Sequence, residues 1–217
     1  MLKHIFFDLD GTLTDSQEGI IKCMQYALEK LNCPFPAEFE ATNIIGPPLR
    51  DTFKKLFHTE DEALIEKAVA TYRERFSTVG LFENKVYPDI AEMLSALHEN
   101  SHQLYVVTSK ARIYANRIID HFALSQWFTG IYGSELGGRF DNKADLIKHV
   151  LNERKIDTTE AVMVGDKKED IIAGKTNGIK TIGVTYGYGS QREITDAKPD
   201  YICNSPREIQ TLLIGKR

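Results

Sequence analysis

Cysteine is scarce in this chain, and its few copies form no recognisable pattern. Cys23, Cys33 and Cys203 are odd in number and lack C-x-x-C spacing, so neither a zinc site nor a disulfide framework is predicted. Reduced thiols are typical of the cytoplasm, where we expect this protein to reside. Clusters of basic residues are also missing. With a net charge of −4 and a pI near 5.9, the chain offers no electrostatic case for binding a nucleic acid polymer.

Long apolar runs are absent as well. No stretch approaches the roughly 20 apolar residues that a helix needs to cross a bilayer. The first residues lack the charged and then apolar pattern of a signal peptide, so we expect no membrane association. Internal repeats and low-complexity tracts are not found. What is present is an ordinary globular composition, 42% hydrophobic and 27% charged over 217 residues, enough for one large domain or a core with an insert.

The most informative segment is acidic. The residues D-L-D-G-T-L-T-D at 8–15 directly follow the apolar residues 5–7, a pattern that predicts a buried strand ending at this point. Because alternate residues of a strand face the same side, Asp8 and Asp10 should project together. Two carboxylates this close require a cation or a shared proton, and Mg²⁺ prefers oxygen ligands. A carboxylate can also attack phosphorus and form an aspartyl-phosphate.

Two further segments carry polar groups suited to phosphate binding. Thr108 and Ser109 follow a predicted strand, where a hydroxyl and backbone N–H groups can hold a phosphate or simply cap a helix. Lys143 lies in the first turn of a predicted helix. An exposed lysine is the ordinary interpretation there, but the helix dipole slightly disfavours a cation at that end. The position therefore fits a charge that offsets a negative cluster.

A second acidic segment follows another predicted strand. Asp166 would lie at the tip of the strand at 161–164, and Asp170 would share its face if the helix begins between them. The alternative interpretation is an acidic helix cap. Together with the first acidic segment, these residues indicate two carboxylate-bearing strand ends.

The order of predicted elements favours an α/β fold with an insert. Residues 16–82 contain helical patterns only. Helices are predicted over 18–31, from the prolines at 47–48 to 57, and from a capping box at Thr59 and Glu62 to about 77. A loop is expected at 35–36. Beyond them, helical and apolar strand patterns alternate, which predicts a parallel sheet with helices on both faces. Ligands bind outside the carboxyl ends of such strands. The elements predicted after the insert are strands at 103–108, 161–164 and 181–184 and helices at 89–100, 111–122, 143–154, 169–177 and from Ser205 onward.

Together, the four segments resemble the ordered motifs of the haloacid dehalogenase (HAD) superfamily of phosphatases, over essentially the whole chain. The resemblance implies a Rossmann-like catalytic core formed by residues 1–15 and 83–217. It also implies that residues 16–82 are a small helical cap that determines substrate specificity. Shorter stretches at 45–50, 132–136 and 186–190 are similar to the 5′-nucleotidase-like branch, a relative of the phosphoglycolate phosphatases.

The resemblance also implies roles for the motif residues. Asp8 would be the nucleophile, and Asp10 would protonate the leaving alcohol and then activate water. Asp8, the main-chain carbonyl of Asp10, and Asp166 would hold Mg²⁺. Asp170 would be a further metal ligand or, as we favour, would hold a metal-bound water or Lys143. The groups implied to bind the phosphoryl oxygens are Thr108, Lys143 and the backbone N–H groups of Leu9, Asp10 and Ser109.

In the implied cap, Arg50 would pair with a substrate anion or would be an ordinary surface residue. The third cap helix carries Tyr72, Arg73 and Phe76, which would line a pocket, although packing is the simpler use of the aromatic rings. Residues 186–190 would form a mobile flap or a plain loop. The expected partner is a small phosphorylated metabolite, either a nucleoside monophosphate or a phosphoglycolate-like compound. No feature of the sequence specifies a subunit interface.

Several alternative functions stay open. Asp10 argues against haloacid dehalogenase chemistry, which lacks the second acid. A sugar-phosphate mutase would keep all four motifs, and a phosphoglycolate phosphatase would differ only in its pocket. A catalytically silent binder of phosphorylated metabolites is disfavoured because Asp8, Asp10, Lys143 and Asp166 are all present.

Overall fold

The computed structural model describes residues 2–34 and 44–215, and the loop expected at 35–36 lies outside these ranges. The chain divides into two compact units. The larger consists of Met1–Asp15 and Val86–Arg217, and the smaller of Ser16–Lys85. The larger unit is therefore discontinuous in sequence, with the smaller unit inserted soon after its first strand.

The larger unit is built on a six-stranded sheet in which every pair of neighbouring strands is parallel. In spatial order the strands are β5 (Phe128–Ser134), β4 (Gln103–Ala111), β1 (His4–Phe7), β6 (Ala161–Gly165), β7 (Lys180–Val184) and β8 (Tyr201–Cys203). Two short strands, β2 (Thr14–Asp15) and β3 (Lys85–Val86), form a second sheet where the chain leaves and re-enters this unit. The predicted α/β class is confirmed.

Helices cover both faces of the sheet, as predicted. In chain order they are α4 (Ile90–Glu99), α5 (Arg112–His121), α6 (Lys143–Arg154), α7 (Lys168–Thr176), α8 (Gln191–Asp196) and α9 (Pro206–Ile214), with short 3₁₀ turns at Ser125–Trp127 and Thr158–Glu160. Ser205 caps α9 as predicted, because its hydroxyl accepts from the Glu208 N–H, but the Glu208 carboxylate accepts from the Asn204 N–H, so only half of the predicted capping box is present. Strands β5 and β8 and helix α8 were not predicted. Two glycines weaken the strand pattern of β5, and β8 is only three residues long.

Strand register explains how the core is filled. Phe6 pairs with Tyr105 of β4 and with Met163 of β6, and side chains paired in this way point to the same face. All three are buried in one apolar cluster, to which α6 contributes Leu146 and Ile147. Burial on both faces accounts for the continuous apolar runs of the central strands.

The same register brings the strand ends together. The last residue of β1, Phe7, lies opposite Val106 of β4 and Val164 of β6. The residues that directly follow β1 and β6, and those at the end of β4, therefore share the carboxyl edge of the sheet. This edge is where ligands bind in open α/β sheets.

The smaller unit is helical, with α1 (Gln17–Lys30), α2 (Leu49–Phe57), α3 (Glu62–Phe76) and a 3₁₀ turn at Gly80–Phe82. The predicted capping box at Thr59 is wrong. Asp61 caps α3 instead, since its carboxylate accepts from the N–H groups of residues 63 and 64. Tyr72 and Phe76 are buried and stacked, and Tyr72 also contacts Phe53. These aromatic rings serve packing, which was the simpler of the two interpretations.

Within residues 2–34 and 44–215, no helix is long and apolar enough to cross a membrane.

Candidate active site

The loop after β1 holds the first two carboxylates. Its shape depends on the Leu9 carbonyl, which accepts from the N–H of Leu13 at 2.9 Å. Gly11 adopts a φ of +85°, and a Cβ atom there would lie 2.2 Å from Oδ2 of Asp166. Only glycine meets both requirements without displacing a neighbour. The loop therefore brings the end of β1 directly against the end of β6.

Three carboxylates meet at this edge of the sheet. Asp8, Asp166 and Asp170 are all buried, and each offers an oxygen within 4.8 Å of the others. Carboxylates buried this close together repel one another unless cations or protons intervene. The cluster has the hard oxygen donors that Mg²⁺ prefers.

Lys143 lies between two of these carboxylates. It is the first residue of α6, whose N-cap Asn142 accepts from two backbone N–H groups of the first turn. The Lys143 ammonium is 2.9 Å from Oδ2 of Asp8 and also bonds to Oδ1 of Asp170. Burial disfavours the ammonium form, but the charges of Asp170 and Asp8 outweigh that effect, so the Lys143 pKa lies above its ordinary value. The lysine is thus a permanent positive charge in the site.

Asp166 is held from two sides. The Thr12 hydroxyl donates to Oδ1 at 3.0 Å, and the Tyr188 N–H donates to Oδ2 at 2.8 Å. Burial raises the pKa of this carboxyl to about 6, and the charge of Asp8 adds to the increase. A bound cation would favour the ionised form.

The residues at 186–190 belong to this support. Tyr188 donates its hydroxyl to Asp15 at 2.8 Å, and Tyr186 donates its hydroxyl to the Thr12 carbonyl at 3.0 Å. These contacts, with the bond to Asp166, favour an anchored loop over a mobile flap.

Both oxygens of Asp170 are engaged by the protein. Oδ1 accepts from Lys143, and Oδ2 accepts from the Lys167 N–H at 3.0 Å. Burial raises the Asp170 pKa, although Lys143 opposes the effect. The bond to Lys143 agrees with a residue that orients this lysine, and Asp170 also belongs to the group of three carboxylates that could hold a metal ion.

Beside this cluster, the end of β4 supplies hydroxyl groups and a second lysine. Thr108 is buried, and its hydroxyl accepts from the Lys110 N–H at 3.2 Å. The Lys110 ammonium lies 2.7 Å from Oδ2 of Asp10, and both side chains are nearly buried. The sequence prediction assigned Lys110 no role. Its position directly after Thr108 and Ser109 was the available signal.

Asp8 and Asp10 of the first acidic segment have similar contacts. Asp8 is paired through Oδ2 with Lys143, and Asp10 through Oδ2 with Lys110. In each, Oδ1 is buried and accepts no hydrogen bond from the described part of the chain. Each carboxylate thus has one oxygen fixed by a lysine and a second one available for chemistry.

The charges of the site do not balance. Among the described residues, four carboxylates (Asp8, Asp10, Asp166, Asp170) lie with two ammonium groups (Lys110, Lys143), an excess of two negative charges when all are ionised. Unpartnered buried oxygens and this excess fit a divalent cation with oxygen ligands.

Arg50 belongs to the smaller unit. It lies in the first turn of α2 and forms ion pairs with Glu62 and Glu66 of α3. A substrate anion would have to compete with these two carboxylates for the guanidinium.

The chain is similar to several known proteins. Residues 5–184 match the family described as Haloacid dehalogenase-like hydrolase. A 5′-nucleotidase from Pseudomonas aeruginosa is 42% identical over 210 residues, which cover 97% of this chain and 95% of that protein. The tyrosine-protein kinase PtkA of Mycobacterium tuberculosis is 36% identical over 185 residues, covering 85% of this chain and 62% of that protein. A predicted phosphatase from Clostridium acetobutylicum has a structure that superposes with a TM-score of 0.93 at 37% identity, covering 100% of both chains.

Proposed function

This chain belongs to the haloacid dehalogenase-like hydrolases and is a phosphatase, and we propose that it hydrolyses small phosphomonoesters through an aspartyl-phosphate on Asp8. The observation that carries the proposal is the state of the Asp8 carboxylate. Lys143 binds one oxygen at 2.9 Å, while the other is buried and accepts no hydrogen bond from the described residues. An oriented carboxylate with one available oxygen is suited to attack phosphorus.

Asp10 is proposed as the general acid and base. In the first half-reaction it protonates the ester oxygen as the bond to phosphorus breaks. In the second half-reaction it removes a proton from the water that attacks the aspartyl-phosphate. Its Oδ1 atom, which accepts no hydrogen bond from the described residues, is the proposed site for both proton transfers.

Mg²⁺ is the proposed cofactor. Asp8, Asp166 and the main-chain carbonyl of Asp10 would hold it, and Asp170 would act indirectly by orienting Lys143. When bound, the ion would neutralise charge on the phosphoryl group. The protein's own groups proposed to bind the phosphoryl oxygens are Thr108, Lys143 and the backbone N–H groups of Leu9, Asp10 and Ser109.

A nucleoside 5′-monophosphate is the proposed substrate. The relative from P. aeruginosa carries the 5′-nucleotidase name, and three short stretches of this chain are similar to that branch. The smaller unit is proposed to act as the specificity cap, with Arg50 as a candidate contact for a substrate anion. The cytoplasm is the proposed location, because the chain has three cysteines and none of them forms a disulfide. A phosphoglycolate phosphatase is the alternative with the same chemistry, and a sugar-phosphate mutase is a more distant one.

The direct test measures phosphate release with and without Mg²⁺. The panel contains nucleoside 5′-monophosphates, 2-phosphoglycolate, sugar phosphates and p-nitrophenyl phosphate. Preference for nucleotides supports the proposal, and preference for phosphoglycolate replaces the substrate while keeping the mechanism. No release from any compound contradicts the proposed hydrolysis.

Asp8→Asn is the matched variant, with exposed Asp145→Asn as the control for the same chemical change. We expect Asp8→Asn to fold normally and to lose turnover by about 10⁴-fold or more. Normal turnover in that variant would show that Asp8 is not the nucleophile.

A further inference from the structure

Lys110 reaches Asp10 because of an irregularity at the end of β4. The pairing of β4 with β5 shifts register between Thr108 and Ala111, which marks a bulge or similar distortion. Such irregularities change the direction of side chains and are common beside active sites. Here the Lys110 side chain is only 8% exposed, and its ammonium lies 2.7 Å from Oδ2 of Asp10.

Three contacts fix the backbone around Lys110. Its N–H donates to the Thr108 hydroxyl at 3.2 Å, and the Ser134 hydroxyl donates to the Ser109 carbonyl at 2.9 Å. Gly133 passes so close that a Cβ atom there would lie 2.4 Å from the Lys110 carbonyl oxygen. The direction of the lysine side chain is therefore set by the neighbouring strand β5.

The two lysines of the site serve different carboxylates. Lys143 contacts Asp8 and Asp170, whereas Lys110 contacts Asp10. Lys110 holds Oδ2 of Asp10 and leaves Oδ1 buried without a hydrogen bond from the described residues. A catalytic acid or base is commonly oriented by a third group in this way.

We propose that Lys110 is the positioning residue of the general acid and base, holding Asp10 so that Oδ1 faces the reacting oxygens. The inference rests on the proposed phosphatase function. In the first step the Asp8 oxygen forms a bond to phosphorus, the ester bond breaks, and the Asp10 proton goes to the leaving oxygen. In the second step water bonds to phosphorus, its proton goes to Asp10, and the bond to Asp8 breaks, releasing phosphate.

The test compares two leaving groups in Lys110→Met. An alkyl phosphate that the wild-type enzyme hydrolyses needs its leaving oxygen protonated, whereas p-nitrophenyl phosphate does not. We expect kcat/KM for the alkyl ester to fall by about 100-fold, the usual range for loss of a general acid, and kcat/KM for p-nitrophenyl phosphate to change little. Because hydrolysis of the phosphoenzyme would also slow, p-nitrophenol should appear in a burst.

Three comparisons keep the result interpretable. Lys110→Arg should restore part of the lost alkyl ester activity, since it keeps a cationic donor. Adding Lys110→Met to Asp10→Asn should cost little more than Asp10→Asn alone, because both changes disable the same group. Lys148→Met, an exposed lysine of α6, controls for the substitution. If Lys110→Met does not fold, Lys110→Gln is measured in the same way.

Equal losses of kcat/KM for both esters, or no loss for either, would overturn the role of Lys110. Failure of the wild-type enzyme to hydrolyse any ester would instead overturn the proposed function, so the two failures are distinguishable.

Discussion

Two clusters of charged side chains, one around Lys143 and one around Glu83, contain the same kinds of residue but differ in their balance of charge. In the larger unit, carboxylates outnumber the cations around Lys143. In the smaller unit, cations and carboxylates balance, because Arg75 and Lys22 both contact Glu83 and Lys22 also contacts Glu18. Arg75 binds Glu83 through two nitrogens, at 2.6 and 3.0 Å. The ratio of charges, rather than the residue types, separates the two clusters.

The pKa values of Asp166 and Glu83, one carboxyl group from each cluster, are shifted in opposite directions. Burial and the charge of Asp8 raise the pKa of Asp166 to about 6. The hydrogen bonds from Arg75 lower the pKa of Glu83 to about 2. The raised pKa of Asp166 follows from burial and a neighbouring carboxylate, whereas the lowered pKa of Glu83 follows from its hydrogen bonds with Arg75. We therefore expect the first cluster to take part in the proposed chemistry and the second to contribute to stability.

Of the three changes that test this contrast, removing Lys143 should have the largest effect. In Lys143→Met, Asp8 and Asp170 lose their shared cation, so we expect kcat to fall by about 1,000-fold, as when a charge-stabilising group is removed from other active sites. Steady-state phosphate release measures the loss, and circular dichroism shows whether the fold is retained. Lys148→Met on the exposed side of α6 is the control. Activity within tenfold of wild type would contradict the expectation that the cluster around Lys143, unlike the cluster around Glu83, takes part in catalysis.

Lowering the pH should have an intermediate effect, seen as a weaker affinity for Mg²⁺. A carboxyl with a pKa of about 6 is mostly protonated at pH 5 and must lose that proton before it binds a metal. Mg²⁺ affinity should therefore fall by about tenfold between pH 7.5 and pH 5. Isothermal titration calorimetry measures it, and Asp166→Asn should bind Mg²⁺ more weakly with a smaller pH dependence. Affinity that is constant over this range would show that Asp166 does not take part.

Breaking the smaller unit's ion pair should have the smallest effect on catalysis. Glu83 has a lowered folded pKa, so its contribution to stability is present above the unfolded value and is lost as pH falls from about 4.5 towards 2. We expect Arg75→Met to lower the free energy of unfolding by about 1–2 kcal/mol at pH 7, and by less at pH 3.

Urea unfolding at the two pH values tests this expectation, with exposed Lys67→Met as the control. The kcat of the folded protein should stay within twofold of wild type. A large loss of kcat without loss of stability would reverse the roles assigned to the two clusters.

Local patterns were sufficient to predict much of the fold. The apolar runs of β1, β4, β6 and β7 were visible because strands buried on both faces need apolar residues at every position. Strand β5 was missed, since its glycines have a tertiary purpose: Gly133 makes room for the backbone of β4. Asp61 was missed as the cap of α3 because Thr59 also fitted a capping pattern two residues earlier.

The candidate site, like the fold, was predicted from the sequence only in part. The sequence by itself determined that Asp8, Asp10 and Asp166 lie at strand ends, because each comes within three residues of a short apolar run, and that Asp170 lies near the start of the helix that follows. Only the tertiary structure decided which lysine pairs with which carboxylate. The pairing of Lys110 with Asp10 depends on the distorted end of β4 against β5, and Lys143 reaches Asp8 and Asp170 from a helix remote in sequence. The local sequence determines which charged side chains are present. Contacts between distant segments determine the distances between the lysine and aspartate side chains, and therefore which charges are paired in the site.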